Sequence, residues 1–283
     1  MKEKLAVVLL SGGMDSCVTA AIARQGHELA LLHANYGQRT ERRELRAFND
    51  IAQYYQVPPH RRLVVDMKYL GAMGGSSLTD LRLEIPTECG IRNLECGISQ
   101  SEIRNQQSAI SYQLSAISYP QSEIPNPKSE ILNPHSAFRN PHSQIPSTYV
   151  PFRNTHLLAV AVSWAEVLGA RKVFIGAVEA DSPGYPDCRE VYYETFNQLI
   201  KVGTRPDSQI TVSAPLLHLK KSEIVLRGMT LKAPLHLSWS CYKNEDRACG
   251  TCQSCRLRLE AFKEAGCVDC ISYEAARLTA TPP

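Results

Sequence analysis

Leu5-Ala6-Val7-Val8-Leu9-Leu10-Ser11-Gly12-Gly13-Met14-Asp15-Ser16, continued by Cys17-Val18-Thr19-Ala20-Ala21-Ile22-Ala23, reads as a buried strand, a glycine turn and the start of a helix. A helix N-terminus presents unpaired amide hydrogens and a partial positive charge, so a polyphosphate placed there satisfies both. Gly12 and Gly13 provide the backbone freedom and the room for close approach. No Gly-Lys-Ser/Thr follows, which excludes the Walker loop, and no G-x-G-x-x-G is present, which excludes the dinucleotide fingerprint.

The pattern that remains, Ser11-Gly12-Gly13-x-Asp15-Ser16, resembles the pyrophosphate loop of the ATP pyrophosphatases. The resemblance implies that ATP is held along Leu10 to Ala20, including Met14, Cys17, Val18 and Thr19, and is cut between its α and β phosphates. Charge then develops on the departing pyrophosphate. Fixed amide dipoles, Ser11, Asp15, Ser16 and a Mg2+ ion are the expected stabilisers. Asp15 and Ser16 are also suited to cap the helix that follows.

The chain has 283 residues, 43% of them apolar, enough to bury a large core, and a formal net charge of +3. So balanced a charge, with its basic residues scattered, gives no electrostatic argument for binding nucleic acid directly. Met1-Lys2-Glu3-Lys4 precedes only a short apolar run, and no run reaches a membrane span of roughly twenty residues. A soluble cytoplasmic protein is expected. Ten cysteines in such a compartment point to metal where they cluster and to free thiols elsewhere.

Ser101, Ser108, Ser115, Ser122, Ser129, Ser136 and Ser143 recur every seven residues. A coiled coil is excluded, because each heptad carries one regular apolar position and Pro120, Pro125, Pro127, Pro134 and Pro141 interrupt any helix. Residues 87–146 are read as a low-complexity, disordered insertion into one loop; Cys89 and Cys96 inside it receive no metal role. The expected organisation is a nucleotide-binding α/β domain over 1–86 and 147–235, then a metal-binding segment over 236–283.

Outside the insertion, strands and helices alternate. Strands are expected at His27–Ala34, Leu63–Val65, Val173–Gly176 and Ile210–Val212. Helices are expected at Glu41–Tyr55, Thr155–Leu168, Glu190–Val202, Lys220–Met229 and Arg256–Ala265. This alternation predicts an α/β fold, a doubly wound and mostly parallel sheet with its ligands at the carboxyl ends of the strands. Three polar segments fall at those ends, Asn35–Arg39, Tyr149–Asn154 and Glu179–Arg189, and each carries an aromatic and an arginine. Each alone is ordinary turn chemistry, whereas the three together predict one shared pocket.

Cys241, Cys249, Cys252 and Cys255 are spaced C-x7-C-x2-C-x2-C, close enough for short turns to bring four thiolates onto one ion. A closed structural Zn2+ site fits this spacing. An iron–sulfur cluster is the rival, and a zinc ribbon for nucleic acid a further alternative.

Taken together, the loop, Asn35-Tyr36-Gly37-Gln38-Arg39, Thr148-Tyr149-Val150-Pro151-Phe152-Arg153-Asn154, Gly184-Tyr185-Pro186-Asp187-Cys188-Arg189 and Trp239-Ser240-Cys241 with its partner cysteines resemble the 7-cyano-7-deazaguanine synthase family. Thr40 stands where that family usually has His. The resemblance implies the adenine nucleotide alpha hydrolase-like fold, and a reaction that takes 7-carboxy-7-deazaguanine, ammonia and ATP to a nitrile through adenylated intermediates. It implies substrate contacts at Tyr36, Gln38, Arg153, Tyr185, Asp187 and Arg189, with Arg39 among the catalytic groups. Asp187 is expected on the guanine-like edge; Arg39, Arg153 or Arg189 on the carboxylate or the α phosphate; Tyr36 or Tyr185 stacked on the base. Another adenylating enzyme of the same loop group and a non-enzymatic zinc-binding interaction protein remain as alternatives. The oligomeric state is open, with a homodimer as the candidate assembly.

Overall fold

The first strand, β1 (Leu5–Leu9), divides its side chains between two faces: Ala6 and Val8 join one apolar cluster, Val7 and Leu9 another. The second, β2 (Glu28–Asn35), repeats the division, with Leu29 and Leu31 on one side and Ala30 and Leu32 on the other. Strands buried on both faces require a helical layer on each. In the computed structural model, which describes residues 4–87, 145–179 and 185–274, both layers are present.

One layer contains α1 (Met14–Arg24), α2 (Glu41–Tyr54), α6 (Lys221–Thr230) and α7 (Gln253–Glu264), which contribute Cys17, Phe48, Ile224 and Phe262 to the first cluster. The other contains α4 (Arg153–Leu168) and α5 (Glu190–Gly203), which contribute Leu158 and Phe196 to the second. A short helix absent from the sequence reading, α3 (Lys68–Ala72), follows β3 (Arg62–Asp66). β4 (Lys172–Phe174) and β5 (Thr211–Ser213) complete a five-stranded sheet of order β3-β2-β1-β4-β5, and each adjacent pair is parallel.

This order positions the site. The chain winds outward from β1 to β3 and then returns to the opposite side of β1, so the connections leaving β1 and β4 diverge and open a crevice at their carboxyl ends. The described residues all fall within one compact unit formed by 1–88 and 142–283. The low-complexity insertion expected over 87–146 lies, but for its edges, outside the described residues, as do Cys89 and Cys96. Among the described residues, no helix is long and apolar enough to cross a membrane.

Two boundaries differ instructively from expectation. α4 begins at Arg153 because Phe152 adopts a left-handed conformation (φ 59°) that turns the chain into the helix. α7 begins at Gln253, so Cys255 lies in its first turn and Cys252 is its N-cap. Within that helix, Arg258 is almost wholly buried (1% exposed). It forms a bidentate pair with Asp269 (2.7 and 3.0 Å) and donates to Ser238 Oγ (2.8 Å) and the Leu235 carbonyl (3.0 Å). Tyr273 Oη donates to the same Asp269 carboxylate at 2.7 Å, which fastens the C-terminal segment to α7.

Candidate active site and metal centre

The Ser11–Ser16 loop is tight for a steric reason. Gly12 has φ +90°, and a Cβ there would lie 2.6 Å from the Glu44 carbonyl, so only glycine lets the loop lie against α2. Gly176, just beyond β4, approaches as closely from the other side: a Cβ there would lie 2.9 Å from Ser16 N. Within the loop, Gly13 N–H donates to Ser11 Oγ (3.2 Å), Ser16 Oγ donates to the Gly13 carbonyl (3.0 Å), and the two hydroxyls lie 3.1 Å apart. Gly13 is the N-cap of α1, and neither Asp15 nor Ser16 serves as a side-chain cap. Cys17, Val18, Thr19 and Ala20 are buried within α1, and burial pushes the Cys17 thiol up to about 12. They support the loop from behind and do not line the cavity beside it.

That cavity, about 320 Å³, occupies the crevice between the ends of β1 and β4. Ser11, Gly13, Met14, Asp15 and Ser16 form one end, and Tyr36, Arg153, Tyr185 and Asp187 face the same space. The three strand-end segments therefore do converge. Arg153 Nη1 donates to Tyr36 Oη (3.0 Å), with the guanidinium 5.3 Å from the Tyr36 ring centroid. Tyr185 is hydrogen-bonded through its hydroxyl to Thr148 and packs against Tyr149. Asp187 is buried and accepts from Asn154 N–H at 3.3 Å, while its own backbone carbonyl accepts from Asn154 Nδ2 (3.0 Å) and Tyr193 Oη (3.1 Å). Burial raises the Asp187 carboxyl above its ordinary value, opposed by the charge of Arg153.

Three expected residues have other positions. Arg39 is not among the cavity-lining residues: its Nε donates to the Ser77 carbonyl (2.9 Å), and its Nη2 to the carbonyls of Asp80 (2.8 Å) and Leu83. The irregular 76–83 loop has no ladder to satisfy these carbonyls, so the guanidinium takes that task. Gln38 is buried behind Tyr36, accepting its N–H (2.8 Å) and donating to Glu44 Oε2 (3.2 Å). Arg189 is exposed and donates to the Pro186 carbonyl (3.2 Å). Residues 180–184 of the third segment lie outside the described residues.

The cavity also has walls that sequence patterns did not assign to it. Lys221, in the first turn of α6, reaches Asp15 Oδ2 at 2.8 Å. Asp15 Oδ1 is buried without a hydrogen-bond partner. Glu44 of α2 lines the cavity, and Trp239, Tyr242, Gln253 and Ser254 close it from the C-terminal segment. The Trp239 backbone N–H donates to the Gly12 carbonyl (2.8 Å), which ties that segment to the Ser11–Ser16 loop.

Cys241, Cys249, Cys252 and Cys255 bring their sulfurs within 4.8 Å of one another, with Cys249 and Cys255 at 3.9 Å. Sulfurs around a tetrahedral zinc stand about 3.8 Å apart, given a Zn–S bond of about 2.3 Å, so the set fits one ion. Hydrogen bonds from its neighbouring thiols and from the backbone N–H groups of Lys243, Asn244 and Cys249 hold the Cys241 thiol well below its ordinary value. Cys249 accepts from Thr251 and from Cys252 N–H. These cysteines alternate with the cavity wall: Ser240 and Tyr242 flank Cys241, and Gln253 and Ser254 lie between Cys252 and Cys255.

A family model described as queuosine biosynthesis protein QueC matches residues 5–106 and 99–266. The chain is 47% identical over 270 residues to the 7-cyano-7-deazaguanine synthases of Chlorobium chlorochromatii (strain CaD3) and Chloroherpeton thalassium (strain ATCC 35110 / GB-78). Each alignment covers 95% of this chain and 96% of the relative. A solved structure, the U34-tRNA thiolase NcsA from Methanococcus maripaludis with its [4Fe-4S] cluster, is similar with a TM-score of 0.42 at 14% identity, covering 94% of this chain and 68% of that one. The extent of the family match and the identity to these synthases give one conclusion: the chain belongs to the QueC family of queuosine biosynthesis proteins.

Proposed function

We propose that this protein is an ATP-dependent 7-cyano-7-deazaguanine synthase. One observation carries the reading: the glycine loop Ser11–Ser16 at a helix N-terminus and the cluster of Tyr36, Arg153, Tyr185 and Asp187 line a single cavity. A carboxylate is a poor electrophile until adenylation gives it a good leaving group. With the acid and ATP in the same cavity, a carboxylate oxygen attacks the α phosphorus and pyrophosphate leaves into the loop amides and the hydroxyls of Ser11 and Ser16. Ammonia displaces AMP to give the amide. Adenylation of the amide oxygen, followed by loss of AMP, leaves the nitrile, so one geometry serves both activations.

Asp187 is assigned to the N–H groups of the purine-like edge and Arg153 to the carboxylate, with Tyr36 and Tyr185 bounding the ring. Mg2+ would be held by Asp15, whose Oδ1 is buried and unpartnered, and would neutralise charge on the phosphates. The four thiolates are assigned to structural Zn2+, because all four positions of a tetrahedral ion would be filled by protein. The proposed partners are small molecules in the cytoplasm, with no direct contact to nucleic acid.

The test is turnover of 7-carboxy-7-deazaguanine with ATP and ammonium, followed by mass spectrometry. AMP, pyrophosphate and the nitrile are the expected products. Release of ADP alone would end the proposal.

A further inference from the structure

Three carboxyl groups, Asp15, Glu44 and Asp187, are among the described residues lining the cavity. Asp15 is paired with Lys221 beside the phosphate loop. Asp187 accepts from the Asn154 backbone at the far end. Glu44 has a link to each end: its own turn of α2 packs on Gly12, and it feels the charge of Arg153. Its two oxygens accept from Thr40 Oγ1 (2.8 Å) and Gln38 Nε2 (3.2 Å), one donor each. A carboxylate offers about four acceptor sites, so both oxygens keep capacity for a further donor in the cavity.

The reaction proposed above needs such a group. Near neutrality the nitrogen donor is present chiefly as ammonium, which has no lone pair and, like a lysine ammonium, gives up its proton only at higher pH. Resting on that reading, we propose that Glu44 is the proton acceptor of the amidation step: its carboxylate holds an ammonium ion in the cavity and takes one proton from it. The step balances. Ammonium and the Glu44 carboxylate become ammonia and the Glu44 carboxylic acid; the nitrogen lone pair forms the C–N bond while the C–O bond to AMP breaks. AMP departs with that electron pair, and the nitrogen and Glu44 each return a proton to water.

The surroundings suit the role. Burial in the cleft raises Glu44 to about 7, opposed by the hydrogen bonds from Thr40 and Gln38 and by Arg153, and assisted by Glu41 of its own helix. A group titrating near the working pH both accepts and releases a proton readily. Tyr36, a further titratable neighbour, is itself shifted upward by burial and stays neutral.

The experiment compares the full chain with Glu44→Gln in two half-reactions. Pyrophosphate release from ATP and 7-carboxy-7-deazaguanine without ammonium should remain within about threefold, since no proton acceptor is needed there. Ammonium-dependent amide and nitrile formation at pH 7 should fall by about a hundredfold or more. The wild-type rate should level off above the Glu44 titration, whereas the variant should continue to rise about tenfold per pH unit with the fraction of free ammonia. Hydroxylamine, already an unprotonated nucleophile at pH 7, should give hydroxamate at nearly the same rate with both proteins.

An equal loss with hydroxylamine, or a pH profile of unchanged shape, overturns the proposal and leaves Glu44 a support for the Tyr36–Gln38 turn. Should the Gln variant also lose pyrophosphate release, Thr40→Val decides. Removing a donor to the carboxylate should move the levelling point to higher pH, and a stationary profile counts against the role. A wild-type chain that releases no pyrophosphate with this acid refutes the proposed function itself, separately from the role of Glu44.

Discussion

Lys221 Nζ lies 2.8 Å from Asp15 Oδ2, so an ion pair separated by 206 residues in sequence joins the first turn of α6 to the first turn of α1. The pair orients the carboxylate whose other oxygen is buried without a partner beside the phosphate loop. Lys221→Met removes the orienting charge. ATP-dependent pyrophosphate release should fall by at least tenfold, while stability drops by no more than about 1 kcal/mol, because both side chains retain some exposure. Unchanged ATP affinity by calorimetric titration would refute the orienting role.

Asp187→Asn keeps the shape of the side chain but turns one acceptor oxygen into a donor, against the donors of a guanine-like edge. Binding of 7-carboxy-7-deazaguanine should weaken by about 2–3 kcal/mol, the scale of a hydrogen bond to a charged group, with ATP affinity nearly intact. Parallel loss of both affinities, measured by titration of each ligand separately, would count against the base-edge assignment.

Removal of metal should act through the cavity wall. Since Ser240 and Tyr242 flank one ligand and Gln253 and Ser254 lie between two others, releasing the four thiols frees that side of the pocket together with the Trp239 contact to Gly12. Purified protein should contain one zinc per chain and be colourless. Chelation should lower the melting temperature, alter the near-ultraviolet signal of Trp239 and weaken ATP binding. A brown chromophore, or a stripped protein with unaltered melting, would contradict the structural zinc assignment.

The Arg258–Asp269 pair is almost completely enclosed, with side-chain exposures of 1% and 4%. Arg258→Met leaves the Asp269 carboxylate buried, with Tyr273 as its remaining side-chain donor. The expected loss is about 3–5 kcal/mol, read as a fall in the denaturation midpoint with little change in slope. A loss under about 1 kcal/mol would show that the C-terminal segment is held chiefly by its apolar contacts.

Ser11–Ser16 and the four cysteines were legible in the linear chain because their geometry is local. A strand entering a helix through two glycines points its amides in one direction, and cysteines with two or seven residues between them are brought together by short turns. The alternation of apolar runs likewise specified the parallel sheet. Arg39 shows where such reading stops. An arginine in a strand-end segment looks available to an anion, yet this one faces the carbonyls of the Ser77–Leu83 loop, whose hydrogen-bonding needs are invisible in composition.

Lys221, Glu44, Tyr242 and Arg258 carry no motif, and their roles arise from which helix turns and loops the packing places against the crevice between β1 and β4. Pattern and spacing were thus sufficient for the strand–glycine–helix loop, the four-cysteine cluster and the fold class, since these depend on neighbours along the chain. Folding alone assigned the charge partner of Asp15, the residues enclosing the cavity and the work done by each arginine, because those follow from strand order and the burial of distant side chains against one another.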